Sequence, residues 1–400
     1  MIDATDKNPA SQEEFFESQP TGVEVEDESP PAVKDPEPWD PEQIRIHTKH
    51  YSLRQIVDMI ADKDVDLAPD FQRQYVWKDW QRWGLIESLL LGIPLPSFYF
   101  NEDPDGRLQV VDGVQRLTTI YNFVKGDTDE GTHPDEDRSR AVNRSFRLGS
   151  LTYLHDLEGR AFGELDGAFR RRLLGSQFVA HVIDPQTPYR VKFDIFRRIN
   201  TGGSPLSAQE IRHCMSGARS RMFLKQLGED ADFVAATGAS LKHHPRMADR
   251  EVALRSVAFR LFSVEDYAKS GTLDDFLGKA TEHIDSVLTD DQLRDVHVVF
   301  SRGMRHAKIA FGDNAFRKWP RDAERRYPIN RALVETWGTV LADFDESRVV
   351  ERQEQLVQRA RDLMTDDRTF IGSIAGSTGD TANVRERFAK VRIVATEVLT

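Results

Sequence analysis

Val110-Val111-Asp112-Gly113-Val114-Gln115-Arg116, continued by Leu117-Thr118-Thr119-Ile120, is the stretch whose reading decides the fold. Two β-branched residues lead to an acid, a glycine supplies a turn, and apolar residues then recur at helical spacing at Leu117, Ile120, Tyr121 and Val124. The pattern predicts a strand that passes through a glycine turn into a helix, which Lys125-Gly126 terminates. Gln115, Arg116 and Thr119 fall off the apolar stripe and are free to face a ligand. The junction gathers a carboxylate, a flexible backbone, an amide and a guanidinium at a helix N-terminus, where unpaired N–H groups and the helix dipole favour an anion such as phosphate. An ordinary capped strand–helix turn accounts for the same residues locally.

Upstream of this junction, Asp103-Pro104-Asp105-Gly106 carries the turn residues of a hairpin between strands Ser97 to Asn101 and Arg107 to Asp112. Further back, helices are predicted from Ser52 to Ile60, with Leu53, Ile56, Val57 and Ile60 on one face, and from Asp79 to Leu91. In the second of these, Trp80, Trp83, Ile86, Leu89 and Leu90 form the apolar face and Gly92 closes it. Between them, residues 67–77 read as an extended segment or edge strand because of Pro69. Downstream, residues 127–141 read as an exposed acidic insertion, Gln177 to Ile183 as a strand, and Thr187-Pro188 as the start of a helix through Ile199.

That helix runs into Arg197-Arg198-Ile199-Asn200-Thr201-Gly202-Gly203, the second place where chemistry can reside. Its glycines permit close backbone approach to a ligand, and Asn200 and Thr201 offer amide and hydroxyl contacts. The competing reading is a helix C-cap joined to a helix whose capping box is Ser207 with Glu210. Beyond residue 215 the periodicity is helical, as at Val252, Leu254, Val257, Ala258, Leu261 and Phe262, and at Ile329, Leu333, Val334, Trp337 and Leu341. The run Phe316-Arg317-Lys318-Trp319-Pro320-Arg321 reads as a solvated loop with a buried aromatic anchor, with contact to DNA phosphates as the alternative.

Charge is distributed unevenly. Of the net −12 over 400 residues, the first 40 carry −10, from twelve Asp and Glu against two Lys, together with six Pro. This segment, residues 1–40, is predicted to be a disordered acidic tail. The remainder is nearly neutral and leaves nucleic-acid binding open, since arginines cluster locally at Arg170-Arg171-Arg172. With no apolar stretch approaching the roughly 20 residues of a membrane span, and no basic and apolar leader, a cytoplasmic location without membrane contact is expected. The single cysteine, Cys214, reads as a packed thiol. His243-His244 reads as a pair of surface histidines, and no P-loop motif occurs.

Four segments in order resemble a known family: Pro69 to Trp77 with Gln72 and Arg73; Ile86-Glu87-Ser88 with Gly92, Pro94 and Pro96; Asp112-Gly113-Val114-Gln115-Arg116; and Phe196 to Gly203 with Leu206 and Glu210. They are similar to the N-terminal domain of GmrSD restriction endonucleases, the domain of unknown function 262 with its DGQQR motif. The resemblance implies an α/β (α+β) fold: a ParB/sulfiredoxin-like mixed-sheet core over residues 44–215, followed by a mostly helical region over 216–400. It also implies nucleotide binding and Mg²⁺-dependent hydrolysis of a nucleoside triphosphate within a prokaryotic restriction-type, phage-defence system. Transferred residue by residue, Asp112 is the metal contact and base, Gln115 positions phosphate or water, and Arg116 neutralises phosphoryl charge. Gln72, Arg73, Gly113, Arg197, Asn200, Thr201 and Gly202 are the further nucleotide contacts. Val114 departs from the family motif, whose first glutamine it replaces, and the HNH nuclease constellation of restriction members is absent. The alternatives are a non-catalytic ParB-like module that binds DNA and recruits a separate nuclease subunit, or a DNA nickase using the same core.

Overall fold

The computed structural model describes residues 13–16, 19–26, 40–67, 77–126, 145–199, 206–242, 244 and 246–400. The chain divides into two compact units, one spanning Pro38–Met215 and the other combining Ser216–Thr400 with the N-terminal residues to Glu37.

The first unit is built on a mixed sheet. Its strands are β3 (Ile46–Ser52), β4 (Val65–Asp66), β5 (Phe98–Glu102), β6 (Leu108–Asp112) and β7 (Gln177–Ile183), with β1 and β2 belonging to the other unit. They lie in the order β3-β7-β5-β6-β4. The pairings β3–β7 and β5–β6 are antiparallel, whereas β5–β7 and β4–β6 are parallel. Phe98, Phe100, Leu108, Val110, Phe178, Ala180 and Val182 alternate onto one face and meet helices α1 (Leu53–Ala61), α2 (Asp79–Leu91), α3 (Val114–Lys125) and α4 (Gly167–Gly175) in one apolar core. Two further helices follow the sheet, α5 (Tyr189–Ile199) and α6 (Ala208–Met215), the latter beside β6. The mixed sheet and helical remainder agree with the α/β class read from the sequence.

Local signals act as read. The Ser52 hydroxyl accepts the Gln55 N–H to cap α1, whose Leu53, Ile56, Val57 and Ile60 are buried. In the β5–β6 hairpin the Asp103 carboxylate accepts the N–H groups of Asp105 and Arg107 at 3.0 and 2.8 Å. The Ser207–Glu210 capping box is present at α6. On α2 the expected face shifts: Leu85, Ile86, Leu89 and Leu90 enter the core, while Trp80 is 65% exposed in the first turn. Glu87, on the same helix, is buried and accepts the backbone N–H groups of Thr152, Tyr153 and Leu154, which fixes the chain that follows residue 145. The acidic insertion at 127–141 lies outside the described residues.

The second unit is helical. Its elements are α7 (Ala218–Gly228), α8 (Ala231–Thr237), α9 (Ala248–Leu261), α10 (Val264–Ser270), α11 (Leu273–Ser286), α12 (Asp290–Phe311), α13 (Arg331–Leu341), α14 (Glu346–Glu351), α15 (Gln353–Asp366), α16 (Arg368–Ser373) and α17 (Thr381–Leu399). The periodic residues Val252, Leu254, Val257, Leu333, Val334 and Trp337 are all buried in its core. His244, expected at the surface, is instead buried, and its Nδ1 accepts the N–H groups of Arg246 and Ala248. Burial, with Arg331 and Arg246 nearby, brings its pKa down to about 4.

The described residues of the acidic N-terminus, 13–16 and 19–26, depart from the compositional expectation. Where the composition predicts a disordered tail over residues 1–40, strands β1 (Glu13–Phe16) and β2 (Gln19–Glu24) form a hairpin, and Val23 bridges to Ile329. Its carboxylates meet cations and donors of the helical unit. Glu24 pairs with Lys318 and accepts from Asn330, Glu14 accepts from Arg331 at 2.8 Å, and Glu26 binds the Arg255 fork. Composition counts charges but is blind to partners: buried arginines at 255 and 331 make acids the complementary choice here. Burial raises the Glu26 pKa, but Arg255 outweighs it and the carboxyl rests at about 2.

A folded pKa below the ordinary 4.5 means that Glu26 adds stability above pH 4.5 and loses it as the pH falls towards 2. Glu26→Gln is accordingly expected to destabilise the helical unit by about 3 kcal/mol at pH 7, because a buried guanidinium loses its charged partner. It should also flatten the acid limb in that window, as read by urea denaturation across a pH series. Unchanged stability would show that the hairpin is not held by this pair.

Candidate functional site

The junction singled out in the sequence is a tightly determined piece of backbone. β6 ends at Asp112, and Gly113 adopts φ 100° and ψ 11°, the left-handed region, before α3 begins at Val114. A Cβ built on Gly113 would lie 2.3 Å from a ring carbon of Phe98, so both the dihedral and the space demand glycine. Because Gly113 has no side chain, no side-chain cap satisfies the N–H groups of the first turn of α3.

Arg116 folds back over this turn. One Nη donates to the Pro96 carbonyl at 2.6 Å, and the other donates to the Ser97 carbonyl at 3.2 Å and to Asp112 Oδ2 at 2.9 Å. Its guanidinium carbon sits 4.2 Å from the centroid of the Phe98 ring. The arginine is thus a clamp that joins the end of β6 to the start of β5. Burial lowers its pKa from the ordinary value, against the pull of Asp112. The Asp112 side chain is 40% exposed against 14% for Arg116, so the carboxylate is the more open of the two. Gln115 Oε1 is buried and accepts no hydrogen bond within the described structure, while the backbone carbonyl of Gln115 accepts the Thr119 hydroxyl at 2.7 Å.

The structure therefore brings Asp112, Gly113, Gln115 and Arg116 together. Arg197 is exposed on the last turn of α5, and its ion-pair partner is Asp194 of the same helix at 3.9 Å. Gln72, Arg73, Asn200, Thr201 and Gly202 lie outside the described residues. Among the described residues, no cluster of three or more His, Cys, Asp and Glu could hold a metal ion. Asp112 is a single carboxylate with one oxygen engaged by Arg116.

The sequence reading missed the floor and rear wall of the site. Phe98 opens β5, and the carbonyls of Pro96 and Ser97 lie just before it, where Pro94 and Pro96 restrict the chain and leave carbonyls to be claimed by a side chain. It also missed a cross-strand row. Asp112 pairs with Tyr99, Tyr99 with His181, and His181 with Thr48 across four strands. The Tyr99 and His181 rings lie 4.9 Å apart, and His181 Nδ1 lies 3.2 Å from the Thr48 hydroxyl. Only the strand register reveals this row, and sequence spacing does not carry it.

Residues 53–215, which include the glycine junction, match the family model of the GmrSD restriction endonuclease, N-terminal domain. Residues 53–215 are therefore similar to the GmrSD N-terminal domain. A comparison with curated proteins finds no match to the chain. Among the described residues, no helix is long and apolar enough to cross a membrane. Within the matched segment, Val114 is half-buried against the apolar core, which accounts for an apolar side chain in place of the motif's first glutamine.

Gly113→Ala is expected to destabilise this unit by about 2–4 kcal/mol, from the left-handed backbone and the overlap with Phe98 together. Gly92→Ala, equally left-handed but with no atom within 4 Å of the added carbon, should cost about 1 kcal/mol. Urea denaturation of the two variants checks the difference, and equal losses would remove the role assigned to Phe98.

Proposed function

We propose that the segment similar to the GmrSD N-terminal domain binds a nucleoside triphosphate with Mg²⁺ at the β6–α3 junction and hydrolyses it, as the nucleotide-dependent component of a restriction-type defence system. The observation that carries this reading is the uncapped N-terminus of α3 directly beside the open Asp112 carboxylate. The free N–H groups suit a phosphate, and the buried, unpartnered Gln115 Oε1 is an acceptor available to a phosphate-borne proton or an ordered water. Mg²⁺ commonly binds through one or two carboxylates together with the phosphates of its nucleotide, so the lone Asp112 fits that manner of holding it. Bound there, the ion would supply neutralisation of phosphate charge.

In this scheme Asp112 orients the attacking water and takes its proton as the bond to the γ-phosphorus forms and the diphosphate leaves. Arg116 works chiefly by holding Asp112 and the β5 entrance in place, since its donors already serve Asp112, Pro96 and Ser97. Gln72, Arg73, Gly113, Arg197, Asn200, Thr201 and Gly202 complete the nucleotide contacts in the proposal. The engagement of Arg116 also favours a second reading, a ParB-like module that binds DNA without chemistry and recruits a separate nuclease, because a clamped arginine has little freedom to follow a developing charge.

Phosphate release measured with each of the four NTPs and Mg²⁺, with and without DNA, separates the two. For Asp112→Asn, turnover should fall about 10²-fold or more with nucleotide affinity nearly unchanged. Arg116→Ala should lower both turnover and thermal stability. Release that is absent from the parent protein, or unaltered in Asp112→Asn, would overturn hydrolysis and leave the DNA-binding module.

A further inference from the structure

The helical unit holds a cavity of about 380 Å³ whose wall, among the described residues, carries three arginines, Arg317, Arg325 and Arg326, together with Ser240, Tyr327 and one carboxylate, Glu13. Arg317 differs from the other buried arginines of this unit. Arg255, Arg331 and Arg387 each meet a carboxylate directly, through Glu26, Glu14 and Glu335. Arg317 donates only to neutral oxygens: the Tyr327 carbonyl at 2.6 Å, and the Thr237 carbonyl and Ser240 hydroxyl at 3.2 Å. Its Nε is buried without a partner, and the residue is 4% exposed. Burial first, and then the like charge of Arg326, lower its pKa to about 10 in spite of Glu13 and Asp313.

Neither acid is hydrogen-bonded to it. Glu13 accepts the Gly22 N–H at 2.6 Å, and Asp313 accepts from Lys308 at 2.7 Å. The neighbouring Phe316 is buried with φ 61°, a left-handed conformation that a β-carbon-bearing residue adopts at a cost, and it fixes the direction in which Arg317 leaves the chain. A buried guanidinium without a carboxylate, backed by two more arginines on the wall of a cavity, is a charge arrangement that an entering anion would complete.

We propose that this cavity is a binding site for a phosphate-bearing ligand, a nucleotide or the end of a nucleic acid strand, with Arg317 as its buried anchor and Arg325 and Arg326 as its outer contacts. The volume lies within the range of small-molecule sites. The Tyr327 ring, beside the Arg325 guanidinium at 5.8 Å, offers an aromatic face to a base. The site is independent of the β6–α3 junction and does not rest on the function proposed for it.

Isothermal titration of the full chain with pyrophosphate tests the proposal, carried out in an Asp112→Asn background that stops turnover but keeps the junction's own affinity, so the cavity is read from the binding component that the arginine variants change. Binding is expected there, and it should weaken about tenfold or more in Arg325→Ala/Arg326→Ala, whose exposed side chains take no part in the core. Arg317→Ala should abolish that component, with the melting temperature recorded alongside. Repeating the titration with ATP and with a 5′-phosphorylated DNA duplex assigns the source: the ligand whose affinity falls in the double variant is the one the cavity takes. No pyrophosphate binding in the Asp112→Asn background, or binding unaltered in the double variant, overturns the site while leaving the NTPase measurement untouched.

Discussion

The contact on which the first unit depends is the Arg116 clamp. The strand ladder pairs the backbone of Asp112 but leaves its carboxylate unheld, and the helix that follows begins without a side-chain cap. Arg116 supplies the missing constraint from one turn into α3, tying Asp112 to the Pro96 and Ser97 carbonyls across the face of Phe98. The antiparallel pairing of β5 with β6 ends at the same place, where the register shifts between Tyr99 and Phe100. An irregularity at the end of a strand pair redirects side chains, and here it does so beside Asp112, whose carboxylate is more open than the guanidinium that clamps it. Phe98 serves both sides: its ring forbids a β-carbon on Gly113 and supports the guanidinium.

Much of this unit was legible because its local chemistry and its burial agree. Ser52, the Asp103-Pro104-Asp105-Gly106 turn, Gly92 and the Ser207–Glu210 box each place a stop or start where the apolar period changes, and the structure puts the elements there. What could not be read are contacts that depend on register and on pairs distant in sequence. The row Thr48, His181, Tyr99 and Asp112 joins residues spread over more than half of the unit, and no spacing rule links them. The roles of Pro96 and Ser97 belong to backbone carbonyls, which carry no residue-type signal at all. Trp80 failed for a related reason, since helical periodicity identifies a stripe but not how far along the helix the stripe stays covered.

The acidic N-terminal segment shows the opposite failure, in which a sound compositional rule meets a specific partner. Twelve acids and six prolines in 40 residues satisfy the usual description of a chain too polar to bury a core. Residues 13–26 need no core of their own, because one apolar residue, Val23, and three carboxylates engage a surface made by Ile329, Arg331, Lys318 and Arg255. The stabilising energy comes from cations that would otherwise be buried alone, so the same acids that argue for disorder in isolation satisfy the helical unit when docked.

Compensation of buried arginines then distinguishes structural from available positive charge in this chain. Arg116 has two backbone carbonyls and a carboxylate, while Arg255, Arg331 and Arg387 each have a carboxylate at hydrogen-bond distance; their charge is spent within the fold. Arg317 has carbonyls and a hydroxyl only, and its nearest like charge is another arginine. A net charge of −12 gives no hint of that difference, because it sums over partners that are already paired. Affinity for an anion is set by the local remainder after pairing, and by that measure the Arg317 cavity is a more strongly unbalanced cationic site than the guanidinium of the junction itself. The junction attracts phosphate instead through the uncapped N–H groups of α3, a weaker field that acts over a single turn and so suits a ligand that must also leave.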